Sequence, residues 1–273
     1  MAWQIIESFV EGKSPAKECE DLIVVTDDFA AVIDGATDAT GAAFDGRTGG
    51  RFAAEVIGTA IEALPRDVGA RVFADRLTRA LLDAVQATAG DLPDDVRWPA
   101  ACVVCLSAAN REVWRIGDCN VVVDGVAHPG TKRVDEASYG FRAVVNAALL
   151  ARGTPLEEIL EHDPGAQAAR PLTDIQQHLA NRVGPWGYGC INGRPIPSEY
   201  VEVVPVPNAP CEVVLTSDGF AEVLPTLSAS EARLDEMITA DPAAVGSLWL
   251  LGKSLRPGFR SLDDRAYLRI APA

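Results

Sequence analysis

Apolar residues along this chain fall into short runs separated by turn-forming residues, with longer stretches of helical periodicity between some of them. WQIIESF, DLIVVT and FAAVID read as strands. The segment from Asp38 to Gly50, rich in Gly, Thr and Asp, reads as a loop. In GGRFAAEVIGTAIEALP the apolar positions Phe52, Val56, Ile57, Ala60, Ile61 and Leu64 recur at helical spacing, and Pro65 marks the end. RVFADRLTRALLDAVQATAG predicts a second amphipathic helix, with Val72, Leu77, Leu81, Leu82 and Val85 as its stripe and Gly90 as its close. AACVVCLSA, REVWRIG and CNVVVDG then read as an antiparallel meander that turns at Asn110. A helix is expected from Val134 to Gly153, its stripe formed by Phe141, Val144, Val145, Ala148 and Leu149. Short helices are expected between Pro155 and Asn181, followed by a loop or hairpin in GPWGYGCINGRPIP. YVEVVPV and CEVVLTS read as strands, SASEARLDEMITA and PAAVGSLWLLGKSL as helices, and AYLRIA as the last strand.

Strands and helices come in blocks, without strict alternation. That order predicts an α+β fold with antiparallel sheets and argues against a doubly wound parallel sheet. No internal repeat or low-complexity linker interrupts the chain, so a single domain over residues 1–273 is expected, with the first and last strands in one sheet.

Composition narrows the function. Acidic residues outnumber basic ones, 39 to 24, for a formal charge of -15. Neutralising nucleic-acid phosphates needs clustered Lys and Arg, so a nucleic-acid partner is not expected. No apolar run reaches membrane-spanning length, and the first residues lack the basic-then-apolar pattern of a secretory leader. Cys102 and Cys105 have metal-pair spacing, but strand alternation turns them to opposite faces. Buried thiols in a reducing cytoplasm are the expected state of the six cysteines.

The chemistry concentrates in aspartates at strand ends: Asp34 in FAAVIDGAT, Asp118 in VWRIGDCNVVV, Asp218 in EVVLTSDGF and Asp263 in SLDDRAYLRI. Glu20 and Asp21 add an acidic pair just before a strand. One such rim carboxylate is an ordinary turn residue. Several, spread through the chain, suggest convergence on one site, and a carboxylate-rich, His-poor set suits hard cations such as Mg or Mn. Two such ions sharing a carboxylate, for which Asp34 is the choice, would activate water for attack on phosphorus. No GxGxxG, GxxxxGK[ST] or GxSxG motif supports a nucleotide cradle or a serine nucleophile. His128, His162 and His178 lie in unrelated polar settings and read as surface residues. Trp186 and Tyr188 in GPWGYG are the aromatic residues placed to flank a site.

The order of these motifs resembles that of the type 2C metal-dependent Ser/Thr protein phosphatases, from Glu20 to Ile270. The resemblance implies a four-layer αββα sandwich, two antiparallel sheets flanked by helices, with a binuclear Mn or Mg centre at one end of the sheets. It implies Asp34 as the bridging ligand, the Gly35 carbonyl as a second ligand, and Asp218 and Asp263 as holders of one metal. One of Glu20 and Asp21 would serve the other metal, and Asp118 a third, weaker ion. Asp34, Asp218 and Asp263 would act catalytically through a metal-activated water. Asp264 stands where many members have Asn.

Two positions depart from the pattern. Ala36 replaces the His that many members carry as a proposed proton donor, and Ala16 the Arg that clamps phosphate. Lys13 or Lys17 is the candidate replacement charge, and Trp98-Pro99-Ala100-Ala101 replaces the Gly-Ser-Thr that often opens the central strand. The expected function is a cytoplasmic, monomeric metal-dependent phosphatase. Its substrate would be a phosphorylated protein, on phosphoserine or phosphothreonine, or a small phosphoester. The competing expectation is a weak or inactive phosphatase-fold module used in regulation or partner binding. Residues 125–181 are expected to form a helical insertion or flap that selects substrate.

Overall fold

The structure, a computed structural model, describes residues 3–36, 43–90, 98–208 and 210–272. Two five-stranded antiparallel sheets stack face to face. One runs in spatial order β1 (Trp3–Glu11), β12 (Arg265–Pro272), β11 (Val213–Thr216), β8 (Asn120–Val123), β9 (Val126–His128). The other runs β10 (Glu202–Pro205), β7 (Glu112–Ile116), β6 (Ala101–Ser107), β3 (Phe29–Gly35), β2 (Leu22–Val25). Helices α1 (Gly49–Glu62) and α2 (Ala70–Ala89) cover the outer face of the second sheet. Helix α6 (Leu227–Ala240) and the turns after it cover the outer face of the first. The expected α+β, four-layer sandwich is therefore present, and β1 pairs with β12 as the ends of the chain were expected to do.

Strand alternation builds these layers and places the site. In β3, Phe29, Ala31 and Ile33 pack against α1 and α2, while Ala30 and Val32 face the opposite sheet. Asp34 continues the Ala30–Val32 side, so its carboxylate emerges where the gap between the sheets opens. In β6, Cys105 joins the helix-side core and Cys102 the core between sheets, so the two thiols do separate as alternation requires.

Several elements differ from the sequence reading. The predicted meander is divided: β6 and β7 pair in one sheet, but β8 crosses to the other and pairs with β11. Gly117 makes that crossing at φ +98°, where an added Cβ would stand 2.3 Å from Cys102 Sγ. The core face of α2 is Phe73, Ala74, Leu77, Thr78, Leu81 and Val85, and Val72 is exposed. Residues 242–255 contain only a 3-10 turn, Trp249–Leu251, where a helix was expected. In the segment read as a loop, β4 (Ala43–Phe44) and β5 (Arg47–Thr48) form a small ribbon, and residues 37–42 lie outside the described set. The Thr48 hydroxyl then accepts from the Arg51 N–H and caps α1.

The largest difference concerns α3 (Arg133–Ala151). Its expected apolar stripe points outward, with Phe141 52% and Val144 67% exposed. Its buried face instead carries Asp135, Ser138, Arg142 and Asn146 beside Val134 and Ala143. The Arg142 guanidinium, 1% exposed, donates twice to Asp163 Oδ2 (3.0 and 2.9 Å) and also to the Ala243 and Ala244 carbonyls and the Ser254 hydroxyl. Asn146 donates to Asp163 Oδ1 and accepts from the Gly165 N–H. Burial pushes the Asp163 carboxyl up, but Arg142 and the hydrogen bonds outweigh it and hold it below the usual range. Asp163 also caps α5 (Pro164–Ile175), so one buried ion pair joins α3, α4 (Leu156–His162), α5 and the turns before β12. The segment 125–181 is accordingly part sheet and part helical cluster, since β9 belongs to a sheet edge.

Removing one partner of such a pair leaves an uncompensated buried charge. Arg142→Ala is expected to lower stability by about 3–5 kcal/mol, and Phe141→Ala by no more than about 0.5 kcal/mol, both read from urea denaturation midpoints. The reverse ranking would restore the apolar-stripe reading of α3.

Candidate metal centre

A cleft of about 460 Å³ opens at the end of the sandwich where β3 stops, β6 begins and β11 stops. Asp34, Asp118 and Asp218 each present a carboxylate oxygen there, all within 4.8 Å of one another. Asp34 comes from the end of β3, Asp118 from the crossing between β7 and β8, and Asp218 from the turn after β11. Ser217 anchors that turn: its N–H donates to the Ala266 carbonyl and its hydroxyl accepts from the Ala266 N–H. Three separate segments thus bring like charges together, which needs compensation.

Part of it comes from lysines. Lys132 Nζ lies 2.7 Å from Asp118 Oδ1. Lys13 donates to Asp263 Oδ1 at 2.8 Å and stands 3.5 Å from Asp264 and 4.0 Å from Glu20. Lys253 holds the other oxygen of Asp263, Oδ2. Both oxygens of Asp263 are therefore taken by ammonium groups. Burial raises the Asp263 carboxyl, but Lys253 and then Lys13 hold it well below the usual range. Burial likewise raises Asp118, and Lys132 holds it down.

The remaining aspartates lack such balance. Asp34 is pushed well up by burial and then by Asp21, Asp118 and Asp263. Asp218 is pushed up by burial and then by Asp34, Asp118 and Asp263. Asp21 is pushed up chiefly by burial, and its Oδ2 is buried with no hydrogen-bond partner. A buried carboxylate oxygen without a donor is costly unless a cation faces it. The carboxylates around Asp34 have the oxygen chemistry and spacing that fit a hard divalent ion.

The acidic pair divides. Asp21 lines the cleft, whereas Glu20 is absent from its lining and accepts from the Thr48 hydroxyl at 2.6 Å. Gly35 lines it too, and cannot carry a side chain: a Cβ would lie 2.6 Å from the carbonyl oxygens of Glu20 and Gly50. Asp264 is committed to structure, since its carboxylate accepts from the backbone N–H groups of Lys13 (2.8 Å) and Glu20 (3.0 Å). It staples the N-terminal segment to the start of β12.

The candidate replacement charges do not stand where they were sought. Ala16 and Lys17 are exposed outside the cleft lining, and Lys13 is buried against its acids. The cleft's basic side chains are Lys132, Lys253, Arg170, Arg194 and Arg256. One wall is α5 and the turn after it; His162, at the end of α4, and His178 are exposed, as the sequence reading has them, and both border the cleft. His128 is not among the lining residues. Tyr188 borders the cleft with Lys132 Nζ 5.6 Å from its ring, and Trp186 is stacked by Arg133 just beyond. Sequence reasoning named Lys13 only as a charge for substrate and missed Lys132 and Lys253, which sit in the turns PGTKRVD and LGKSL with no periodicity to mark them.

No protein-family model and no curated protein matches the chain. Solved structures do. The Mycobacterium tuberculosis serine/threonine phosphatase PstP/Ppp is 14% identical over 99% of this chain and 98% of its own, with a TM-score of 0.51. The catalytic domain of PstP in complex with two manganese ions gives 14%, 99%, 97% and 0.52. Serine/threonine phosphatase Stp1 from Staphylococcus aureus gives 14%, 100%, 96% and 0.50. This chain has the type 2C phosphatase fold. In that fold the described cleft lies at the sheet ends, and no helix among the described residues is long and apolar enough to cross a membrane.

Gly35→Ala forces backbone against backbone at the end of β3. It is expected to cost about 1–3 kcal/mol of stability, measured by thermal unfolding. A variant as stable as the parent would show that the backbone at Glu20 and at the start of α1 can part freely.

Proposed function

We propose that this chain is a metal-dependent phosphoric monoester hydrolase, acting on phosphoserine or phosphothreonine of a protein or on a small phosphoester. The observation that carries the reading is the convergence of Asp34, Asp118 and Asp218 within 4.8 Å in the cleft of a phosphatase fold. Asp34, Asp118 and Asp218 would hold Mn or Mg, with Asp21 and the Gly35 carbonyl in the same lining. The ion, when bound, supplies activation of water and neutralisation of charge on the phosphoryl oxygens.

The chain's own residues do the rest. Arg194 and Arg256 give the mouth of an acidic site the positive charge that a phosphate dianion needs to approach. They take the part left open by Ala16, by long-range attraction and not by a forked clamp at the acidic pair. Asp118 is kept ionised by Lys132, so its charge stays available to the cluster. A cleft of this volume admits a phosphorylated side chain or a small ester, with the bulk of a protein substrate lying outside. Five of the six cysteines are buried, which suits the reducing cytoplasm in which we place the protein.

The competing reading is a phosphatase-fold module without turnover. Ala36, at the cleft where the family's His would stand, is the residue that favours it. Hydrolysis of p-nitrophenyl phosphate across a Mn titration separates the two. Turnover that requires Mn, and that falls about 10²–10³-fold in Asp34→Asn, the scale of losing one electrostatic stabiliser, is the expected result. Absence of turnover on this ester and on phosphopeptides, with the ion bound, would favour the module.

We place substrate selection on the α5 wall, where Arg170, Asp174 and His178 face the cleft. Arg170→Ala is expected to change the ratio of kcat/KM for a phosphopeptide over p-nitrophenyl phosphate by about twofold to fivefold, the worth of an exposed charge contact. Mn affinity should not move. A change in metal affinity with no change in the ratio would remove α5 from substrate selection.

A further inference from the structure

We infer that this chain binds one divalent cation tightly, at Asp34–Asp118–Asp218, and that the ammonium groups of Lys13 and Lys253 stand in for a second ion at Asp263. The inference rests on the metal-dependent reading of the site, and departs from the two-ion centre that the resemblance implies.

The argument starts from the oxygens. A hard cation takes its place through lone pairs of carboxylate oxygens. Asp263 is already engaged through both oxygens: Oδ1 accepts from Lys13 and from the Asp264 N–H, which uses both its lone pairs, and Oδ2 is held by Lys253. A divalent ion reaching Asp263 would also be placed beside two ammonium charges, and like charges at such range repel strongly where water is scarce. Asp264 offers no alternative, because its oxygens already accept from two backbone N–H groups that join the chain ends. The Asp34 side differs in kind. There the three carboxylates converge, Asp118 alone of the three is in a lysine ion pair among the described residues, and Asp21, whose buried Oδ2 has no hydrogen-bond partner, lines the same cleft. One solved phosphatase of this fold is described in complex with two manganese ions.

The two lysines have different freedom. The Lys13 side chain is 8% exposed, enclosed by Asp263, Asp264 and Glu20, and cannot leave without stranding those acids. The Lys253 side chain is 37% exposed and lines the cleft, on the turn that follows Trp249–Leu251. Lys253 is therefore the removable ammonium, and its loss would free Asp263 Oδ2 in the cleft that Asp218 also lines.

The test is Mn stoichiometry of the full chain after EDTA treatment and dialysis, by titration calorimetry and by electron paramagnetic resonance. The parent should bind one Mn per chain with an uncoupled six-line spectrum. Lys253→Met, with Lys253→Gln beside it as the polar control, should bind two, with the exchange-coupled spectrum of a Mn pair. Asp34→Asn should lose the tight ion. Two ions of comparable affinity in the parent, no ion at all, or one ion in both Lys253 variants when circular dichroism shows them folded, would each overturn the inference. One ion in the parent and two in Lys253→Met, without hydrolysis of any phosphoester, would uphold it and sink the phosphatase reading alone.

Discussion

The structure is organised around a concentration of negative charge that no single segment could hold. Asp21, Asp34, Asp118, Asp218 and Asp263 arrive from five places in the sequence and meet in one cleft. Burial makes each of them costly as an anion, and each makes its neighbours more costly. The protein answers in two ways. Asp118 and Asp263 are in direct ion pairs with lysines, while for Asp21, Asp34 and Asp218 burial and the neighbouring carboxylates outweigh what the lysines and Ser217 give. That division is why the cleft has an acidic floor and a lysine-filled corner at once.

Holding such a cluster needs stiff surroundings. The β3 end is fixed by the close approach of Gly35 to the backbone of Glu20 and Gly50. The β11 end is fixed by the reciprocal hydrogen bonds of Ser217 and Ala266. Asp264 ties the segment bearing Lys13 and Glu20 to the start of β12. On the far wall, the Arg142–Asp163 pair sets α5 against α3 and against the turn that carries Lys253. The same buried polar knot therefore positions the wall that would meet substrate and the loop that supplies an ammonium to Asp263.

The layers were largely legible in the residues. FAAVID and VVLTS announced strands, and the stripe in GGRFAAEVIGTAIEALP placed α1. The four rim aspartates were legible as strand ends beside turn residues. Misreadings occurred where burial was polar or where a chain crossed layers. The α3 stripe of Phe141 and Val144 has the right period, but the helix packs through Arg142 and Asn146, and periodicity cannot see an ion pair that makes a polar face the buried one. The β7–β8 connection looks like a hairpin, yet Gly117 at positive φ sends the chain across to the other sheet.

By itself, the sequence determined the α+β class, the antiparallel strands and the residues that end them in carboxylates, because side-chain period and turn chemistry are local properties. Only the tertiary structure decided which of those carboxylates stand together and which are already paired. Lys13 and Asp263 are far apart along the chain and meet only because β1 and β12 are neighbours in one sheet. Charge compensation is a property of distance in space, and a lone lysine in a turn carries no mark of the acid it will meet.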